Sequence, residues 1–129
     1  MNFSRTDIKK IFFIYPPAGR FLRGEDRCQS DVEASAATNE RAPLDIMQMA
    51  GVLKSMNIEC QFMDCTMESK NWEDFSNALK IFKPDGLIVS TTNASVLQDL
   101  KACDIAKSIN PGILTIMKGA LFFDLPLNI

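Results

Sequence analysis

The residues whose types and spacing could do chemistry in this chain are few, and they sit at the ends of short apolar runs. Ser90-Thr91-Thr92-Asn93-Ala94 follows Leu87-Ile88-Val89 and offers three hydroxyls and an amide. Lys118-Gly119-Ala120 follows Ile113–Met117 and presents one cation beside a glycine that lets backbone come close. Tyr15-Pro16-Pro17-Ala18-Gly19-Arg20 follows Ile11–Ile14 and opens a polar stretch holding Arg23-Gly24-Glu25-Asp26-Arg27-Cys28-Gln29. Hydroxyls, an amide and a cation in this pattern suit a slender polar ligand segment bearing a phosphate or amides. Ordinary loops and helix caps use the same residue types, so both readings stand at this point.

Several chemistries are excluded. The chain has no histidine, which removes Ser-His and Cys-His catalysis, histidine zinc sites and any imidazole ligand to a cofactor metal. Cys28, Cys60, Cys65 and Cys103 show no pairwise metal spacing and read as reduced thiols, several of them buried. An enzyme using Cys28 as nucleophile would lack a base partner. A net charge of −2 gives no electrostatic footprint for nucleic acid or an anionic membrane. The longest apolar runs fall far short of the roughly 18–20 residues of a membrane span. The apolar stretch near the N-terminus meets Pro-Pro rather than a small-residue cleavage site, so the expected location is cytoplasmic. No G-x-G-x-x-G follows the first apolar run and no G-x-x-x-x-G-K-[ST] occurs anywhere. Pro-Pro-Ala-Gly-Arg stands where a flavodoxin would carry its phosphate loop, and Ser90-Thr91-Thr92 where a receiver domain would carry an aspartate.

The elements that must position these residues follow from periodicity. At 129 residues the chain is one domain's worth. Lys9–Tyr15 is a fully apolar strand after its lysines, suited to a central place covered on both faces. Pro16 to Ala42 lacks periodicity, and so long a connection is generally functional or disordered. Pro43 then opens a helix at its first position, with Leu44, Met47, Ala50 and Leu53 inward, Ile46, Met49, Val52 and Met56 widening the stripe, and Asn57 as a left-handed cap. Ile58–Asp64 is a second strand. Asn71 caps a helix with Trp72, Phe75, Leu79 and Phe82 on one face, ended by Pro84. Asp85–Ser90 is a third strand, and Ser95 caps a third helix with Val96, Leu100, Cys103, Ala106 and Ile109 inward. Asn110-Pro111-Gly112 is a turn before the fourth strand, Ile113–Met117.

The order β-α-β-α-β-α-β predicts a Rossmann-like, flavodoxin-like doubly wound parallel sheet in three layers, α/β/α. Such a domain usually continues to a fifth strand. Instead Leu121-Phe122-Phe123-Asp124-Leu125-Pro126-Leu127-Asn128-Ile129 is an apolar tail, costly to leave in water. Either it packs on a partner, as in a homodimer, or the chain is a piece of a longer polypeptide. In a parallel sheet ligands bind where strand order reverses, at the carboxyl ends of the strands. The hydroxyl, lysine and proline segments all belong to that edge.

Taken in order, Ile14-Tyr15-Pro16-Pro17-Ala18-Gly19-Arg20, Glu25-Asp26-Arg27-Cys28-Gln29, Ala42-Pro43-Leu44-Asp45, Trp72-Glu73-Asp74-Phe75, Phe82-Lys83-Pro84-Asp85, Leu87–Asn93 and Ala106–Pro111 resemble the N-terminal cobalamin-binding domain of radical SAM enzymes. The resemblance runs from about Ile8 to Phe123. It implies a corrinoid at the carboxyl edge, with Tyr15, Pro17, Gly19, Arg20, Glu25, Asp26, Arg27, Cys28, Gln29, Ser90, Thr91, Thr92, Asn93, Lys118, Gly119 and Ala120 as candidate contacts. In the wider cobalamin fold an Asp-x-His-x-x-Gly motif after strand one supplies the lower cobalt ligand. Here Tyr15–Arg20 holds no histidine, which implies binding base-off without histidine replacement, the dimethylbenzimidazole tail entering between strands one and three. That fold's Ser-x-Leu motif corresponds to Ser90-Thr91-Thr92, and its Gly-Gly motif to Lys118-Gly119, where a lysine could contact the tail phosphate.

The Cys-x-x-x-Cys-x-x-Cys triplet of radical SAM enzymes is absent. The resemblance therefore implies a non-catalytic, cofactor-holding module. The [4Fe–4S] cluster, S-adenosylmethionine and the methyltransferase or cyclase chemistry would belong to a downstream domain of the same polypeptide. The alternative is a ligand-free Rossmann-like scaffold that associates through its tail or an exposed strand edge.

Overall fold

The computed structural model describes residues 7–18, 42–119 and 122. Within them four strands and three helices alternate: β1 (Lys10–Tyr15), α1 (Leu44–Ser55), β2 (Glu59–Asp64), α2 (Trp72–Phe82), β3 (Gly86–Ser90), α3 (Val96–Ile109) and β4 (Leu114–Lys118). All pairings are parallel and the strand order is β2-β1-β3-β4. The expected fold class is the one observed.

β1 is buried from Ile11 to Tyr15 because it is an inner strand. Its Ile14 lies opposite Met63 of β2 on one side and Val89 of β3 on the other. Successive side chains go to opposite faces. Phe12 and Ile14 enter a cluster with Phe75 and Leu79 of α2 and Ala102 and Ala106 of α3. Ile11, Phe13 and Tyr15 enter a second cluster with Ile46 of α1. Right-handed crossovers require this division, since β1 to β2 steps one way across the sheet and β2 to β3 to β4 steps the other. Among the described residues, α1 covers one face, and α2 and α3 cover the opposite one.

The helix ends follow local chemistry. Asn71 accepts from the Asp74 amide (2.9 Å) and Asp74 accepts from the Asn71 amide (2.9 Å), a reciprocal box that starts α2. Lys83 ends α2 in the left-handed region, φ 53°, just before Pro84. Asn57, with φ 59°, follows α1 as expected. Asn110 Oδ1 accepts from the Gly112 amide (3.0 Å) and builds the turn into β4.

Two helix faces differ from the expectation. Pro43 is the residue before α1 rather than its first, and the sheet-facing stripe is Ile46, Met49, Ala50 and Leu53. Leu44, Met47, Val52 and Met56 are exposed. Apolar residues surround much of α1, so the period fits more than one rotation; the choice is made by tertiary contacts. On α3, Asp99, Ala102 and Ala106 are buried and Cys103 and Ile109 pack against the same core, whereas Leu100, expected inward, is exposed. Sequence hydropathy places an aspartate outside, and here it is inside.

Candidate functional site

Strand order reverses between β1 and β3, so the loops leaving those two strands flank the crevice of this sheet. Pro16 is fully buried at the end of β1 and Pro17 is half-buried. Ser90, Thr91 and Thr92 are buried where β3 ends, whereas Asn93 is exposed. Lys118 lies opposite Ser90 at the end of β4. Tyr15, Pro17, Ser90–Asn93, Lys118 and Gly119 thus share one edge. Gly19, Arg20, Glu25, Asp26, Arg27, Cys28, Gln29 and Ala120 lie outside the described residues.

On the α1 side of this edge, Asp45 in the first turn of α1 joins two strand ends. Its Oδ2 pairs with Lys118 Nζ and its Oδ1 accepts from the Tyr15 hydroxyl at 3.1 Å. Burial raises the Asp45 carboxyl, but the hydrogen bond and charge of Lys118, the Ile46 amide and the Tyr15 hydroxyl outweigh it. The net effect holds the group below the ordinary carboxylate value of 3.8. An acid in a first helical turn also complements the helix dipole. Tyr15 is further fixed by an edge-to-face contact with Phe62, centroids 5.1 Å apart.

On the other side, the hydroxyls after β3 converge on Asp99, which has no exposed surface. Thr91 Oγ1 donates to Asp99 Oδ2 at 2.7 Å, and Ser95 Oγ donates to the same oxygen at 2.6 Å. Thr92 Oγ1 lies 2.9 Å from Ser95 Oγ. With the one Ser95 proton directed at Asp99, Thr92 must be the donor in that contact. Ser95 precedes α3 but makes no side-chain cap bond to it, because its hydroxyl serves Asp99 instead.

Glycine is required at position 119 by proximity. A Cβ there would lie 2.6 Å from the Thr91 carbonyl oxygen and 3.1 Å from its Cγ2. The Thr91 amide donates to the Lys118 carbonyl at 2.9 Å, so β3 and β4 stay joined one residue past the end of β3. The glycine lets the β4 exit lie flat on the β3 exit.

The two carboxylates are occupied by Lys118 and Tyr15 in one case and by Thr91 and Ser95 in the other. Cys65 is buried. Burial and neighbouring Glu59 raise the Cys60 thiol, and burial with Asp104 foremost raises Cys103, so neither is an activated nucleophile. Among the described residues no group of three His, Cys, Asp or Glu side chains is placed to hold a metal, and no helix is long and apolar enough to cross a membrane.

The sequence reading did not identify the roles of Asp45, Ser95 and Asp99. Ser95 and Asp99 stand four apart on a helix, a spacing at which side chains meet, and that was the available signal. Asp45 has no comparable local signal, because both partners are distant in sequence. Compared with family models, curated proteins and solved structures, the chain matches none.

Proposed function

We propose that this chain holds cobalamin against the carboxyl edge of its sheet, base-off and with no histidine beneath the cobalt, as the cofactor module of a cytoplasmic radical SAM enzyme. The observation that supports the reading is the strand order β2-β1-β3-β4. It sets the Tyr15–Pro17, Ser90–Asn93 and Lys118–Gly119 segments along one edge of the sheet, and these are segments on which the family resemblance rests. When bound, the corrinoid supplies methyl transfer or related radical chemistry; the iron–sulfur cluster and S-adenosylmethionine belong to a downstream domain.

The donor set fits a corrinoid without a protein ligand. The chain contains no imidazole, the prolines after β1 offer no side-chain donor, and the Tyr15 hydroxyl is turned to Asp45. A weaker axial donor is the protein's lever on the metal in that arrangement. The chain's own residues would contribute shape and backbone: Pro16 and Pro17 would stiffen the chain as it leaves β1 towards the cofactor. A phosphate on the nucleotide tail would have to share Lys118 with Asp45. The test is electron paramagnetic resonance of added cob(II)alamin. A base-off spectrum without axial-nitrogen splitting is expected, and splitting from an axial nitrogen would overturn the ligand assignment.

One observation favours the second reading, a ligand-free scaffold. The Thr91 and Thr92 hydroxyls and the Lys118 cation already have protein partners. In that case the edge is complete as it stands and no corrinoid is retained.

A further inference from the structure

At the amino end of the sheet, a cleft of about 310 Å³ opens between the C-terminal ends of α2 and α3. That volume lies within the range of small-molecule pockets. Leu79, Ala106 and Ile113 are buried and form an apolar floor, with Ile109 half-buried beside them. Exposed Lys80, Lys83 and Asn110 supply the polar rim.

The rim is one-sided in charge. Among the described residues no acidic side chain lines the cleft, and none pairs with Lys80 or Lys83. Asn110 Oδ1 accepts from the Gly112 amide at 3.0 Å, which leaves its side-chain NH2 group as the donor end. Backbone oxygens of the floor are also taken. Leu79 accepts from the Lys83 amide and Ala106 from the Asn110 amide, both at 2.9 Å, and the Ile113 carbonyl accepts from Lys107 Nζ. Cations and a donor above an apolar floor complement an anion carried on an apolar body. Lys83 adds a second argument. It holds a left-handed position, φ 53°, that glycine occupies at less cost, so a cationic side chain stands there against the backbone preference.

We propose that this cleft binds a small apolar carboxylate, an acyl or aryl acid. Its apolar body would lie on Leu79, Ala106 and Ile113, and its carboxylate would meet Lys80 and Lys83. The site is at the far end of the strands from the carboxyl edge, and the inference stands whether or not a corrinoid binds there.

Titration of the full chain with octanoate, followed through its amide chemical shifts, tests this. Saturable shifts centred on residues 79–83 and 106–113 are expected, and acetate should give none. Octanol, with the same body and no charge, should bind about five-fold more weakly, the factor that exposed charge pairs supply. The double variant Lys80→Gln/Lys83→Gly should hold octanoate no more tightly than octanol, with octanol affinity and the sheet amide shifts unchanged. Equal affinity of the parent chain for octanoate and octanol would show that the lysines serve only the helix end and would overturn the proposal. So would the absence of saturable shifts in this cleft, including the case in which Ile113 methyl contacts show it filled by another protein segment or a second copy.

Discussion

Lys118, the last residue of β4, pairs with Asp45 in the first turn of α1, 73 positions away in the chain. The same carboxylate accepts the Tyr15 hydroxyl from the end of β1, so one side chain ties α1 to an inner strand and to an edge strand. α1 has apolar residues on several sides, and this tie helps fix which of them meet the sheet.

The tie has a pH dependence of definite sign. The folded-state value of Asp45 lies below its unfolded value, so its stabilisation is complete well above 3.8 and is lost as pH falls through the folded value. Asp45→Asn should cost about 1–2 kcal/mol near neutral pH, as expected for a charged hydrogen bond that is partly buried. In urea unfolding the gap between variant and parent should shrink as pH is lowered below about 4. A gap constant across that range would mean that the charge pair contributes nothing.

Asp99 makes a separate prediction. Replacing it with alanine removes the acceptor for two buried hydroxyls and leaves a void, so Asp99→Ala should destabilise by about 3 kcal/mol. Ser95→Ala, which removes one donor, should cost about 1 kcal/mol. Chemical denaturation of both variants checks the ranking; equal losses would contradict the convergence of both hydroxyls on Asp99.

The glycines in α1 and after β4 should respond in opposite directions. A Cβ at Gly51 meets nothing within 4 Å, so Gly51→Ala should stabilise by about 0.5–1 kcal/mol through helix propensity. A Cβ at Gly119 collides with the Thr91 backbone, so Gly119→Ala should destabilise by about 1–3 kcal/mol. Thermal melting of the two variants side by side gives both signs in one experiment.

Lys83 holds a left-handed position, φ 53°, that costs a side chain and suits glycine. Lys83→Gly should therefore raise stability by a few tenths to about 1 kcal/mol. A lower melting temperature would show that the lysine side chain compensates for its backbone.

Much of this architecture was legible in the residues, and the misses share a cause. Ile11–Tyr15 read as an inner strand because an apolar run too short for a helix needs cover on both faces, and it has it. Asn71 and Asn57 marked helix ends through local chemistry alone. On α1, Ile46, Met49, Ala50 and Leu53 of the expected stripe meet the sheet, whereas the equally apolar Leu44, Met47, Val52 and Met56 are exposed, a choice that tertiary contacts make. On α3, Cys103, Ala106 and Ile109 meet the core as the residues suggest, and Leu100 does not because Asp99 is buried in its place, which hydropathy cannot anticipate without Thr91 beside it. Ser90–Asn93 and Lys118–Gly119 were correctly assigned to the carboxyl edge. What their side chains do there depended on long-range partners and was not legible.

The measurement that bears most directly on the cobalamin proposal is retention of hydroxocobalamin by the full chain after mixing and desalting, read as corrinoid absorbance per protein. Near-stoichiometric retention with a base-off spectrum is the predicted result. A protein fraction with no corrinoid absorbance, while its circular dichroism shows the α/β fold intact, would contradict the proposal.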